Sequence, residues 1–170
     1  RETVIDLARE KGLTFDLVVY SLASPVRTDP KTGVMHRSVI KPLGAPYEGL
    51  TLDVFGGKLS RVSVQPATEE EAANTVKVMG GEDWELWIKA LRSAGVLAPG
   101  ASTFAYTYIG PEHSWPIYRS GTLGRAKAHL EATARSLDAL LRPEGGAAWS
   151  AVMKAVVTRA SAVIPVIPLY

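Results

Sequence analysis

Residues 104–127 read FAYTYIGPEHSWPIYRSGTLGRAK. The β-branched and aromatic run from Thr103 to Ile109 has the composition of a strand. Gly110-Pro111 ends it, an aromatic-rich loop follows, and a stretch rich in Ala, Lys and Arg opens a helix. In α/β proteins the loops at the carboxyl ends of strands are where ligands bind, and this loop carries Tyr118, with Lys127 nine residues on. A phenol is a proton donor, and an ammonium beside it lowers its pKa and can hold a cofactor ribose. On one continuous helix the two side chains would stand about 180° apart, so the pair can work only if Tyr118 precedes the helix. Gly121 and Gly124 supply room for such a break. Taken on spacing alone, Tyr118 beside Trp115-Pro116 reads more readily as a packed aromatic.

Working back along the chain, RETVIDLAREKG is a helical pattern with Val4, Ile5 and Ala8 as its apolar stripe and Gly12 as its stop. The apolar run FDLVVYSL, 15–22, then predicts a strand buried on both faces. A helix feeding a buried strand is half of a βαβ unit and favours a parallel sheet. The small residues from Ser21 to Ser24 after that strand would let a flat ligand approach the backbone, although a plain loop is the simpler reading. Between Thr28 and Pro66 short β-prone pieces alternate with Gly and Pro, and Phe55-Gly56-Gly57-Lys58 marks a hairpin between LTLDV and LSRVSV. A small antiparallel insertion at about 37–66 follows.

Thr68 and Glu71 form a capping box for a helix that runs to Gly80-Gly81. A second helix places Trp84, Trp87, Ile88 and Leu91 near one face, and Leu97-Ala98-Pro99-Gly100 reads as a turn into the central strand. After Lys127 a stripe of Leu130, Ala134, Leu137 and Leu141 continues the helix as far as Arg142-Pro143. Residues 147–163, small and apolar, read as a last buried helix.

Composition narrows the function classes. The 170 residues are 46% hydrophobic and 21% charged, as in an ordinary globular domain. With 19 Lys+Arg against 17 Asp+Glu and no basic stripe, nucleic acid is not an expected partner. The lack of cysteine excludes disulfides, Cys-based zinc sites and thiol catalysis, and fits a cytoplasmic setting. No apolar run reaches the roughly 18 residues of a membrane span. His36, His113 and His129 share no metal-ligand spacing, so no metal is expected. Neither a GxGxxG nor a Walker loop is present. The helical start at Arg1 and the apolar end AVIPVIPLY give the expectation that this is the middle of a longer chain.

Four segments, DLVVYSLASPVRTDP, NTVKVMGGEDWELWI, AYTYIGPEHSWPIYRSGTLGRAK and VVTRASAVIPVIPLY, resemble the FabV-type enoyl-acyl-carrier-protein reductases, also called trans-2-enoyl-CoA reductases. That resemblance covers nearly the whole chain. It implies an α/β fold, a Rossmann-like parallel sheet flanked by helices, of which residues 1–170 would be the central part of one reductase domain. The family's dinucleotide-binding turn would lie upstream of Arg1, and a further part downstream of Tyr170. It further implies NADH as cofactor and an enoyl-CoA or enoyl-acyl-carrier-protein substrate. The family's signature of a tyrosine, eight residues and a lysine falls on Tyr118 and Lys127. Its substrate-contacting tyrosine matches Tyr108, and its cofactor-contacting positions match Leu22 and Ala23 and then Val156, Val157 and Thr158, besides Lys127. A monomer is expected. The competing readings are a ketoacyl reductase or hydroxyacyl dehydrogenase using the same pair, and a non-catalytic acyl-thioester binding fragment.

Overall fold

A computed structural model describes residues 1–21, 24–154 and 158. The chain divides into two compact units. The first comprises residues 1–23, 80–107 and 128–152. Its sheet has three strands, β1 (Phe15–Tyr20), β6 (Leu97–Thr107) and β7 (Ala147–Val152), in the order β1-β6-β7 and all parallel. Aligned residues of parallel strands share a face. One face therefore carries Val18, Thr103 and Ala148 in one row and Tyr20, Ala105 and Ser150 in the next.

Helices α3 (Glu82–Ser93) and α4 (Thr122–Leu141) cover that face. Trp84 and Ile88 of α3 and Leu130, Ala134, Leu137 and Leu141 of α4 close over Ala105 and Ala148, whose small side chains let the helices come near the sheet. The Trp84 indole N–H donates to the Thr103 hydroxyl at 2.9 Å, and that hydroxyl donates to the Val18 carbonyl at 2.8 Å. The polar groups in this core are thus paired. Gly81 begins α3 tight against α4: a Cβ there would collide with the Thr133 side chain, and its N–H donates to His129 Nδ1 at 3.0 Å. Helix α1 (Glu2–Glu10) adds Ala8 to a second cluster with Leu91 and Val96.

The parallel sheet with flanking helices agrees with the expectation from sequence, and three local readings are corrected. β1 is not buried on both faces: Leu17 is 52% and Val19 42% exposed, because it is an edge strand with helices on one side only among the described residues. Leu97–Gly100 is not a turn but the start of β6, where Leu97 pairs with Phe15 ahead of a register shift. The expected helix at 147–163 begins as a strand instead, β7 (Ala147–Val152). Alanine is the strongest helix former, but propensity yields to tertiary context, and pairing along β6 with Ala148 in the core outweighs that preference. The rest of that stretch lies outside the described residues, apart from Met153, Lys154 and Thr158.

The second unit comprises residues 24–79, 108–127 and 153–170. Strands β2 (Val26–Thr28) and β3 (Met35–Arg37) pair antiparallel across a turn in which the Asp29 carboxylate accepts from the Lys31 and Thr32 N–H groups. Strands β4 (Tyr47–Asp53) and β5 (Lys58–Val64) form the hairpin that Phe55-Gly56-Gly57-Lys58 signalled. Helix α2 (Glu69–Met79) starts on the capping box: Glu71 N–H donates to Thr68 Oγ1 at 3.1 Å and Thr68 N–H to the Glu71 carboxylate at 2.9 Å.

Candidate active site

Where β6 ends, Tyr108 follows, and Gly110 turns the chain with φ 81°. The next ten residues wind into compact turns rather than an open loop. A 3-10 turn covers Glu112–Ser114, the Ser114 hydroxyl donates to the Pro111 carbonyl at 2.8 Å, and the Trp115 indole N–H donates to the Gly110 carbonyl at 2.9 Å. Tyr118 N–H donates to the Ser114 carbonyl at 2.8 Å, and the Tyr118 carbonyl accepts from Gly124 N–H at 3.0 Å. Tyr118 thus stands ahead of α4, whose first residue is Thr122, as the spacing argument requires. The Tyr108 and Tyr118 rings meet edge to face with centroids 5.4 Å apart, a favourable aromatic geometry that fixes both.

The two glycines permit this break through space rather than through backbone conformation. Neither has a left-handed φ. They are required by space: a Cβ on Gly121 would collide with the Ile117 and Lys41 carbonyls, and one on Gly124 would collide with the Arg119 carbonyl. Gly124 is what lets the Tyr118 turn fold back on the first turn of α4.

That first turn is pinned from a second side by residues 39–41. The Thr122 hydroxyl donates to the Val39 carbonyl at 2.6 Å and accepts from Lys41 N–H at 3.3 Å, while Thr122 N–H donates to the Lys41 carbonyl at 3.0 Å. Val39 N–H in turn donates to Thr75 Oγ1 on α2 at 3.0 Å. Both threonines are fully buried, so these bonds lie away from competing water. Ion pairs close the frame, Lys41 with Glu71 at 2.6 Å and Arg125 with Glu69 at 2.8 Å. Each holds its carboxyl below the usual glutamate range, in both cases chiefly through the hydrogen bond from its basic partner.

Lys127 stands on the second turn of α4, half-buried. Its side chain has no hydrogen bond or ion pair among the described residues. Burial alone pushes its pKa below the ordinary lysine value, since desolvation disfavours the charged form. A half-buried, uncompensated ammonium is the kind of perturbed group that functional sites collect.

Tyr108, Tyr118 and Lys127 fall in one compact unit, and the two tyrosines touch. Leu22, Ala23, Val156 and Val157 lie outside the described residues, and Thr158 is exposed. Among the described residues no group of His, Asp and Glu could hold a metal, and no helix is long and apolar enough to cross a membrane. Thr122, Thr75 and the stacking of Arg119 on Trp115 escaped the sequence reading. The Trp115–Arg119 spacing of four residues was a visible sign, but it points to a contact only once 115–119 is known to be a helical turn.

The profile of the trans-2-enoyl-CoA reductase catalytic region matches residues 1–170. An enoyl-[acyl-carrier-protein] reductase [NADH] of Opitutus terrae is 56% identical over 170 residues, all of this chain and 43% of the relative. A trans-2-enoyl-CoA reductase [NADH] of Treponema denticola is 59% identical over 167 residues, 98% of this chain and 42% of the relative. The chain thus spans less than half the length of these relatives. The crystal structure of Treponema denticola trans-2-enoyl-CoA reductase in complex with NAD superposes with a TM-score of 0.92 at 58% identity, over 99% of this chain and 42% of that one. The profile match from the first residue to the last and relatives 56% and 59% identical agree: the chain belongs to the trans-2-enoyl-CoA reductase family.

Proposed function

We propose that this chain carries the proton-donating part of an NADH-dependent reductase that saturates the trans-2 double bond of an enoyl thioester of coenzyme A or acyl carrier protein. What supports the reading is that one compact unit holds both a tyrosine fixed in its turn and a half-buried lysine with no carboxylate partner among the described residues. A structural lysine at such a position would be expected to find an ion-pair partner.

The fit to a dinucleotide rests on Lys127, whose open ammonium suits the hydroxyls of a ribose. Backbone groups at Leu22, Ala23, Val156, Val157 and Thr158 are the further positions proposed to hold the cofactor. When bound, the nicotinamide supplies the hydride that the substrate's β-carbon receives. Electron density then moves to the thioester oxygen, and the Tyr118 hydroxyl donates a hydrogen bond to that developing enolate. Protonation of the α-carbon completes the saturated acyl thioester, so that one hydride and one proton are added and no bond to sulfur breaks. Lys127 has two tasks in this scheme: it orients the cofactor, and its charge stabilises the ionised phenol. Tyr108, edge-on to Tyr118, limits the directions that phenol can take and lines the path of the acyl chain.

The test is product analysis with the full gene product that carries these residues, supplied with NADH and trans-2-butenoyl-CoA. The expected product is butanoyl-CoA, formed one for one with NADH oxidised. Formation of 3-hydroxybutanoyl-CoA from the 3-oxo thioester, with no reduction of the enoyl thioester, would replace this reading by that of a carbonyl reductase.

A further inference from the structure

The residue after Tyr118 is an exposed arginine whose guanidinium is held in place without being neutralised. Arg119 lies over the Trp115 ring at 4.3 Å from its centroid. Among the described residues its side chain has no hydrogen bond and no carboxylate partner. Arg125, six residues on, makes the contrast: its guanidinium is occupied by Glu69 at 2.8 Å. Stacking on an indole fixes the plane of a guanidinium while leaving the N–H groups at its edge open. A side chain already ordered loses little further entropy when it binds. Between Tyr108 and Lys127 the sequence has Glu112 as its one acidic residue, against Arg119 and Lys127, Arg125 being paired with Glu69.

We propose that Arg119 binds a phosphate on the carrier arm of the thioester substrate, a group that coenzyme A and the phosphopantetheine of a carrier protein have in common. The inference rests on the enoyl-thioester reading above. An open planar fork is matched to a phosphate, which it can hold through two parallel N–H to oxygen bonds. Tyr118 and Arg119 are neighbours at the end of a turn closed by a bond from Tyr118 N–H to the Ser114 carbonyl, so their side chains leave the chain in different directions. They therefore serve two ends of a long substrate: the phenol the reacting thioester, the guanidinium the charged end of its arm.

The test is calorimetric titration of the full gene product with coenzyme A, 4'-phosphopantetheine and pantetheine, for the wild type and for Arg119→Met, which keeps an apolar stem over Trp115. Loss of a charge-assisted contact of this kind is expected to weaken coenzyme A binding by roughly 10- to 100-fold, with pantetheine unaffected. Arg119→Lys, which keeps the charge and loses the fork, should fall between. If coenzyme A and phosphopantetheine both weaken, the phosphate is the one shared by both carriers. If coenzyme A alone weakens, the contact is to the nucleotide end, which a carrier protein lacks, and the assignment to the shared phosphate is overturned. Unchanged binding in Arg119→Met, equal weakening of pantetheine, or no binding of coenzyme A to the wild type overturns the assignment. None of these titrations needs turnover, so failure of the reductase reading, seen as no reduction of any enoyl thioester, is a separate result.

Discussion

The sheet unit and the tyrosine-bearing unit are held by different forces. In the first, Trp84, Ile88, Leu137 and Leu141 interlock over two alanines of the sheet, an apolar core that fixes volume and leaves direction free within rotamer limits. In the second, three hydroxyl side chains around α4's first turn, Thr75, Thr122 and Ser114, are fully buried and hydrogen-bonded beside the apolar Ile117, Leu123 and Ala126. Hydrogen bonds lose strength quickly when bent, and a glycine contact admits no extra atom. The part of the chain proposed to aim a phenol is therefore the part in which directional and steric constraints add to apolar packing.

The largest stability loss should come from Trp84→Ala in the sheet unit. Removing a fully buried indole and the partner of Thr103 is expected to cost roughly 3–5 kcal/mol, read by urea unfolding. A loss below about 1 kcal/mol would mean that the apolar core does not hold this unit.

Gly124→Ala should be smaller in stability, about 1–3 kcal/mol for a forced backbone shift, yet larger in turnover than that loss suggests, because the Arg119 carbonyl must move and the Tyr118 turn moves with it. Comparison of kcat with Tm separates the two; proportional loss of both would remove the special role of this contact. Thr122→Val should cost a similar or smaller amount, roughly 1–3 kcal/mol, since Lys41 N–H and Val39 C=O lose a buried partner. Thr122→Ser, which keeps the hydroxyl, should remain near wild type, and equal effects of the two changes would show that the methyl group matters instead.

The smallest effect has the opposite sign. Lys127 has a folded-state pKa below its unfolded value of 10.5, so the unfolded chain binds more protons between the two values. Its charge therefore opposes folding at neutral pH, and that penalty is relieved as pH rises through the folded pKa toward 10.5. Lys127→Met should raise Tm at pH 7 by on the order of 2 °C and lower turnover, with the stability gain shrinking in alkaline buffer. A Tm that falls at pH 7 would show that the ammonium has a stabilising partner.

Much of this was legible in the sequence because it rests on short-range chemistry. The Thr68/Glu71 capping box, the Gly56-Gly57 hairpin turn, the Gly80-Gly81 break and the strand–loop–helix passage from Thr103 to Lys127 all stand in the structure. What escaped depends on contacts distant in sequence. The run AAWSAV carries no strand signal of its own and becomes β7 by pairing with β6. Phe15–Tyr20 is apolar at every position but Asp16, which says nothing of its place at a sheet edge. Thr122 and Val39 meet across more than eighty residues of chain, and no local pattern announces it. The pairing of Tyr118 with Lys127 is an expectation from spacing and resemblance, whereas the burial that gives Lys127 its character is visible only in the fold.

The most direct measurement is the turnover of NADH and trans-2-butenoyl-CoA by Tyr118→Phe in the full gene product, beside the wild type. Loss of the hydroxyl alone should cut kcat by roughly 10²- to 10⁴-fold, with Tm unchanged to within about 1 °C. A kcat within about threefold of wild type would remove Tyr118 as the donor and, with it, the reason for the frame of hydroxyls and glycines that holds its turn.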